Sequence, residues 1–137
     1  MNDWEKSIED GKVLKISLNQ ERAKSLMISS LKLLNIIEKI KLDKENGFFI
    51  LTNYYDIILE SLHALLYKKG YQSLDHLSIG YYIKDVLDNQ EFFNIFDKYR
   101  KTRNKILYYG RNIDPETAQQ GIKDLKRLYQ FVKKLLE

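Results

Sequence analysis

The chain contains no cysteine, one proline among 137 residues and six glycines. Without cysteine there is no disulfide, no thiol nucleophile and no cysteine-ligated zinc or iron–sulfur centre. One proline and six glycines leave little room for long loops, so disorder is expected only at the termini. No run of about 18 apolar residues could cross a bilayer. The start, Met1-Asn2-Asp3-Trp4-Glu5, lacks a basic region followed by an apolar stretch, so no membrane association and a cytoplasmic location are expected. The two histidines, His63 and His76, are spaced unlike a metal-ligand pair, and neither a metal nor a cofactor is expected.

What is present is typical of a folded protein: 44% hydrophobic and 31% charged residues. The length suits one core and hence one domain over 1–137, with residues 1–18 as a short helix and arm and 19–137 as a bundle. The net charge of +4 is unevenly spread. Lys98, Arg100, Lys101, Arg103, Lys105 and Arg111 fall in a stretch with no acid before Asp114. Six of the 23 basic residues lie there, which leaves 17 against 19 acids elsewhere, so the rest of the protein is slightly acidic. A basic cluster on such a body fits an anionic ligand such as RNA or a nucleotide phosphate, or else a solvated helix face.

Apolar periodicity marks the helices. Trp4 and Ile8 before Gly11 suggest a short helix and turn, and Val13, Leu14 and Ile16 an extended arm whose docking site the sequence does not give. Ala23, Leu26, Met27, Ser30, Leu34, Ile37 and Ile40 predict a helix from Asn19 to about Leu42. After Asn46-Gly47 the pattern resumes through Ile50, Tyr54, Ile57, Ser61 and Leu65, and Lys68-Lys69-Gly70 ends it. Ser73 is the expected N-cap of a shorter helix through Leu77 and Tyr81, with Leu87 as its furthest extent. Asp88 and Glu91 resemble a capping box for a helix that Gly110 closes, and Asp114-Pro115 opens a last helix to Leu136. No strand pattern emerges. The expected fold is all-α, an up-and-down bundle of four to five helices.

At 100° per residue, Phe92, Phe96, Tyr99 and Leu107 lie within about 40° of Arg103, which places this arginine on the apolar stripe. A guanidinium cannot shed its charge, so it needs an acid, a phosphate or a wet interface there. A carboxylate such as Glu60 or Asp56 on the second long helix would satisfy it structurally. Asn104 and Tyr108 lie side by side on the flank of the stripe. The half-polar stripe also predicts a self-complementary interface, hence a homodimer. The ten tyrosines, Tyr108 and Tyr109 among them, could stack on bases or pack with their hydroxyls at a rim.

The stretch Tyr99-Arg100-Lys101-Thr102-Arg103-Asn104-Lys105-Ile106-Leu107-Tyr108-Tyr109-Gly110 resembles the signature of HEPN domains, in which Arg-Asn, three residues and then His stand near the end of a long helix. Tyr54 to Gly70, followed by Tyr71-Gln72-Ser73-Leu74-Asp75-His76, resembles the family's preceding helix and its Gly-Tyr-x-Ser-x-x-His turn. Trp4, Gly11-Lys12-Val13 and Glu21-Arg22-Ala23 are similar to small prokaryotic, particularly archaeal, members, so the resemblance spans nearly the whole chain. It implies a HEPN-like bundle that dimerises around Arg103-Asn104. It further implies a toxin–antitoxin or defence context and a nucleotidyltransferase partner. Active members are metal-independent ribonucleases, but the position of their catalytic histidine holds Tyr108 here. A phenol with an ordinary pKa of about 10 is a poor base at pH 7.

Two functions therefore compete. One is a dimeric module that binds RNA, a nucleotide or a partner, with Arg100, Lys101, Lys105, Tyr109, His76 and Arg111 as contact residues. The other is a metal-independent endoribonuclease with Arg103, Asn104 and Tyr108 as catalytic candidates. His63, mid-helix beside Leu62 and Leu66, reads as a packing residue.

Overall fold

The computed structural model describes residues 1–110 and 112–137. It is 74% helical, with six helices and one short two-stranded sheet among those residues. None of these helices is long and apolar enough to cross a membrane.

Helix α1, Asp3–Glu9, opens with a reciprocal capping box between Asn2 and Glu5. Gly11, at φ 78°, turns the chain into strand β1, Val13–Lys15. Helix α2, Gln20–Ile37, starts at Asn19, whose side chain accepts from the Arg22 backbone N–H. It stops at Ile37, short of the expected Leu42. The next residues turn, and the Asn46 side chain ties the loop by donating to the Lys41 carbonyl (2.8 Å) and accepting from the Asp43 N–H (2.8 Å).

Helix α3, Gly47–Lys69, is the central element and packs extensively on α2. Ile57, Ile58, Leu62, Ala64 and Leu66 are each at most 1% exposed. At that depth each of the isoleucine and leucine side chains contributes about 1.5–3 kcal/mol relative to exposure. Gly70 closes α3 at φ 87°, and a Cβ there would sit 3.0 Å from the Ile16 carbonyl oxygen. That close approach lets strand β2, Tyr71–Ser73, pair antiparallel with β1, Val13 opposite Ser73 and Lys15 opposite Tyr71. The sheet is absent from the expectation because three-residue strands leave no readable alternation.

Ser73 is the last residue of β2 and donates to the Asp75 carbonyl; Asp75, not Ser73, caps helix α4, His76–Tyr81. A π-helical turn, Tyr82–Val86, follows directly. The cap of helix α5, Gln90–Tyr109, is Asn89, which accepts from Phe92 N–H, not the expected Asp88. Asp88 instead takes the left-handed turn before it, at φ 53°. Helix α6, Pro115–Leu136, begins at Asp114 as expected and packs along α3.

The extended arm docks as β1 on β2, and helix α1 docks through Trp4, whose indole meets Tyr71 and Tyr82 edge-on (5.2 and 5.0 Å). The Trp4 backbone N–H donates to Asp85 (2.9 Å), and Lys84 pairs with Asp3. One core cluster runs from Trp4 to Leu136.

Candidate functional site: the two faces of helix α5

The 100° step along α5 divides the basic stretch between two faces. Arg100 and Arg103 turn inward; Lys98, Lys101, Lys105 and Tyr109 form a stripe on the outer side. Arg103 Nε lies 3.0 Å from Asp56 Oδ1 of α3, and its guanidinium stands 5.6 Å from the centre of the Tyr55 ring. Arg100 grips Asp97 Oδ1 through Nη2 and Nε (2.7 and 3.1 Å), and Lys101 Nζ takes the other oxygen at 3.0 Å. Three of the five cations in this stretch of the helix, Arg100, Lys101 and Arg103, thus meet two carboxylates, Asp97 and Asp56, and with Lys98 and Lys105 in no ion pair among the described residues the five exceed the two by three.

The apolar stripe is centred slightly away from Arg103. Phe96 and Tyr99 are fully buried within the protomer, Tyr99 donating its hydroxyl to Asp124 of α6 at 2.6 Å. Ile106 is buried where Leu107 had been expected; Leu107 is 61% exposed. The stripe faces α6 through Tyr99 and Ile106, so Arg103 stands at its edge and Leu107 beyond it. Phe92 packs on Phe131 at 4.7 Å. Phe96 and Tyr99 are therefore not available to a second chain, and the stripe on which the interface was expected belongs to the protomer's own core.

His76, in the first turn of α4, joins Arg103 and Asp56. Its Nδ1 is 3.3 Å from the Tyr55 hydroxyl. Burial, then the Arg103 charge, push the His76 pKa below its ordinary 6.5 against the pull of Asp56. His63 is lowered by burial, by His76 and by Arg22, whose guanidinium stands 4.8 Å from the Tyr67 ring. Asp56 is raised: burial outweighs the nearby Arg103. Burial also lifts the Tyr55 hydroxyl, so it remains protonated and can donate to His76. Burial opposes ionisation of Asp97 too, but its hydrogen bonds from Arg100 and Lys101 hold its carboxyl below the usual range.

Of the expected site residues, Arg103 and His76 come together, and Arg100 and Lys101 are joined through Asp97. Asn104 is exposed. Tyr108, also exposed, touches only the Tyr109 ring among the described residues, at 6.0 Å. Nothing brings it to Arg103. Lys105 and Tyr109 border an open groove of about 310 Å³ with Thr102, Ile106 and Thr117. Arg111 lies outside the described residues.

Two participants had escaped notice. Asp97 was legible, since it stands three and four residues before Arg100 and Lys101 on one helix. Tyr55 was not, because its contact with His76 spans 21 residues and depends on how α4 leaves β2. Compared with models of known protein families, with curated proteins and with solved structures, the chain matches none.

Proposed function

We propose that the chain is a dimeric HEPN-type module that binds single-stranded RNA along the outer face of α5 and does not cut it. The observation that carries this reading is the uncompensated charge: five cations against two carboxylates, with Lys98, Lys101 and Lys105 on one stripe that ends at the exposed Tyr109 ring. Spaced ammonium groups suit successive phosphates, and an exposed phenol ring suits a stacked base. Exposed Leu107 and Tyr108 at the end of α5 offer a face for a second copy or for a nucleotidyltransferase partner in a toxin–antitoxin or defence setting. The displacement of Tyr108 from Arg103 supports binding without cleavage, since the side chain at the position of the family's histidine does not stand beside the arginine, and the phenol that does, Tyr55, is held protonated by burial.

A second reading, a metal-independent endoribonuclease, is favoured by one contact. His76, kept neutral near pH 7 by its lowered pKa, stands beside Arg103 and Asp56, where it would act as the proton carrier instead of Tyr108. The test is incubation with mixed single-stranded RNA in EDTA, alongside fluorescence anisotropy on a labelled oligonucleotide. Binding that Lys98→Ala/Lys101→Ala/Lys105→Ala abolishes, with RNA left whole, is the expected result. Cutting lost in both Arg103→Ala and His76→Gln, with both variants still fully folded at the assay temperature by circular dichroism, establishes the second reading. Absence of both binding and cutting overturns the two together.

A further inference from the structure

On the side of α3 away from His76, a cleft of about 300 Å³ opens between the end of α2, the 38–46 loop and α6. It is at the small end of ligand clefts, which run roughly 300–1,000 Å³. Ile37, Ile40, Leu42, Ile50 and Ile122 give it an aliphatic lining. Its loop wall is held in place by the side-chain hydrogen bonds of Asn46 and Asp43. The space therefore does not depend on a floppy segment.

The polar groups around it are arranged by sign. Glu38 stands on the wall where α2 ends, the negative end of that helix; Lys123 and Lys126 stand opposite on α6. No ion pair joins Glu38 to either lysine among the described residues, so the charges face across the cleft without neutralising each other. Tyr54, 2% exposed, also lines the cleft, and its hydroxyl has no hydrogen-bond partner among the described residues. Burial, with Glu38 nearby, pushes its pKa up to about 12, so it is a donor at any ordinary pH. Lys126 Nζ is 5.8 Å from the Tyr54 ring centre, which puts two donors on one side of the space. A hydroxyl that reaches the cleft wall and donates to no protein group is free to donate to a ligand acceptor.

We propose that this cleft binds a small apolar zwitterion, a free α-amino acid with a large hydrophobic side chain. Its carboxylate meets Lys123, Lys126 and the Tyr54 hydroxyl, its ammonium meets Glu38, and its side chain lies against the isoleucines. An anionic amphiphile would face Glu38 and the carbonyl end of α2 unpaired; a cationic one would face the two lysines. Only a ligand with both charges satisfies both walls. The inference is independent of the RNA reading, since it uses the opposite side of α3.

The experiment is an NMR titration of the ¹⁵N-labelled full chain with L-phenylalanine, with 3-phenylpropionate, which lacks the ammonium, and with phenethylamine, which lacks the carboxylate. L-Phenylalanine is expected to give saturable shifts confined to the 37–42 and 119–126 backbone, with each analogue at least fivefold weaker. Lys123→Gln/Lys126→Gln should weaken phenylalanine at least fivefold. Glu38→Gln should weaken phenylalanine while leaving phenylpropionate unchanged or tighter. The three side chains changed are exposed, so the variants keep the fold. No saturable shift, equal shifts for all three compounds, or tighter binding of either analogue than of phenylalanine overturns the proposal.

Discussion

Replacing Lys105 with alanine removes one ammonium that no carboxylate among the described residues compensates, and the consequence can be worked out from the charges on α5. On single-stranded nucleic acid the logarithm of affinity falls with the logarithm of salt at about 0.7 per phosphate neutralised. Three lysines on the outer stripe therefore give a slope of about −2, and a fourfold rise in salt weakens binding about 20-fold. Lys105→Ala should flatten the slope to about −1.4, so that the same rise costs about 7-fold. Lys101→Ala should change it less, because Asp97 already holds Lys101 at 3.0 Å. Arg103→Ala should leave it unaltered, since its guanidinium faces Asp56 on the other side of the helix. The assay is anisotropy of a labelled single-stranded RNA at about 50 to 200 mM NaCl, a range over which such slopes are resolved. Equal slopes for wild type and Lys105→Ala, or a slope that falls only in Arg103→Ala, would refute the assignment of phosphates to the outer stripe.

The remaining expectations concern stability. Arg103→Ala should cost about 1–2 kcal/mol in urea denaturation, between the cost of losing an exposed pair and a buried one, because it leaves Asp56 half-buried without its cation. Asp56→Asn should be neutral or slightly stabilising in the same measurement, since burial already disfavours the ionised carboxyl; a large loss would mean that the ion pair outweighs its desolvation. The two histidines fold with pKa values below 6.5, so the unfolded chain binds more protons just below that pH and stability is lost as pH falls through the folded values. The melting temperature should thus drop on acidification from neutral, and the drop should shrink in His63→Gln/His76→Gln; a rise on acidification in that window contradicts the sign. Gly121→Ala would place a Cβ 2.5 Å from Leu51 Cδ1 and 2.8 Å from Tyr99 Cε1. Overpacking of about 1–3 kcal/mol should exceed the helix-propensity gain of about 1 kcal/mol, so thermal unfolding should come earlier.

The 3.6-residue apolar repeat and the punctuation at Asn19, Asn46-Gly47, Lys68-Lys69-Gly70, Gly110 and Asp114-Pro115 determined the long helices, because caps and breakers act within a few residues of themselves. The all-helical class and the two acids able to reach Arg103 were legible for the same reason, and Asp56 is the one that does. Tertiary structure decided what depends on partners distant in sequence. Ser73 entered a strand because β1 was there to pair with it, and the cap passed to Asp75. Phe96 and Tyr99 went into the protomer's core because α6, with Gly121 against the Tyr99 ring, approaches α5 closely. The sequence presented six basic residues as one cluster. The packing of α5 on α3 sorted the described ones into arginines held by carboxylates and lysines facing outward, since a helix buried on one side distributes neighbouring residues to opposite faces and only the packing says which face is covered.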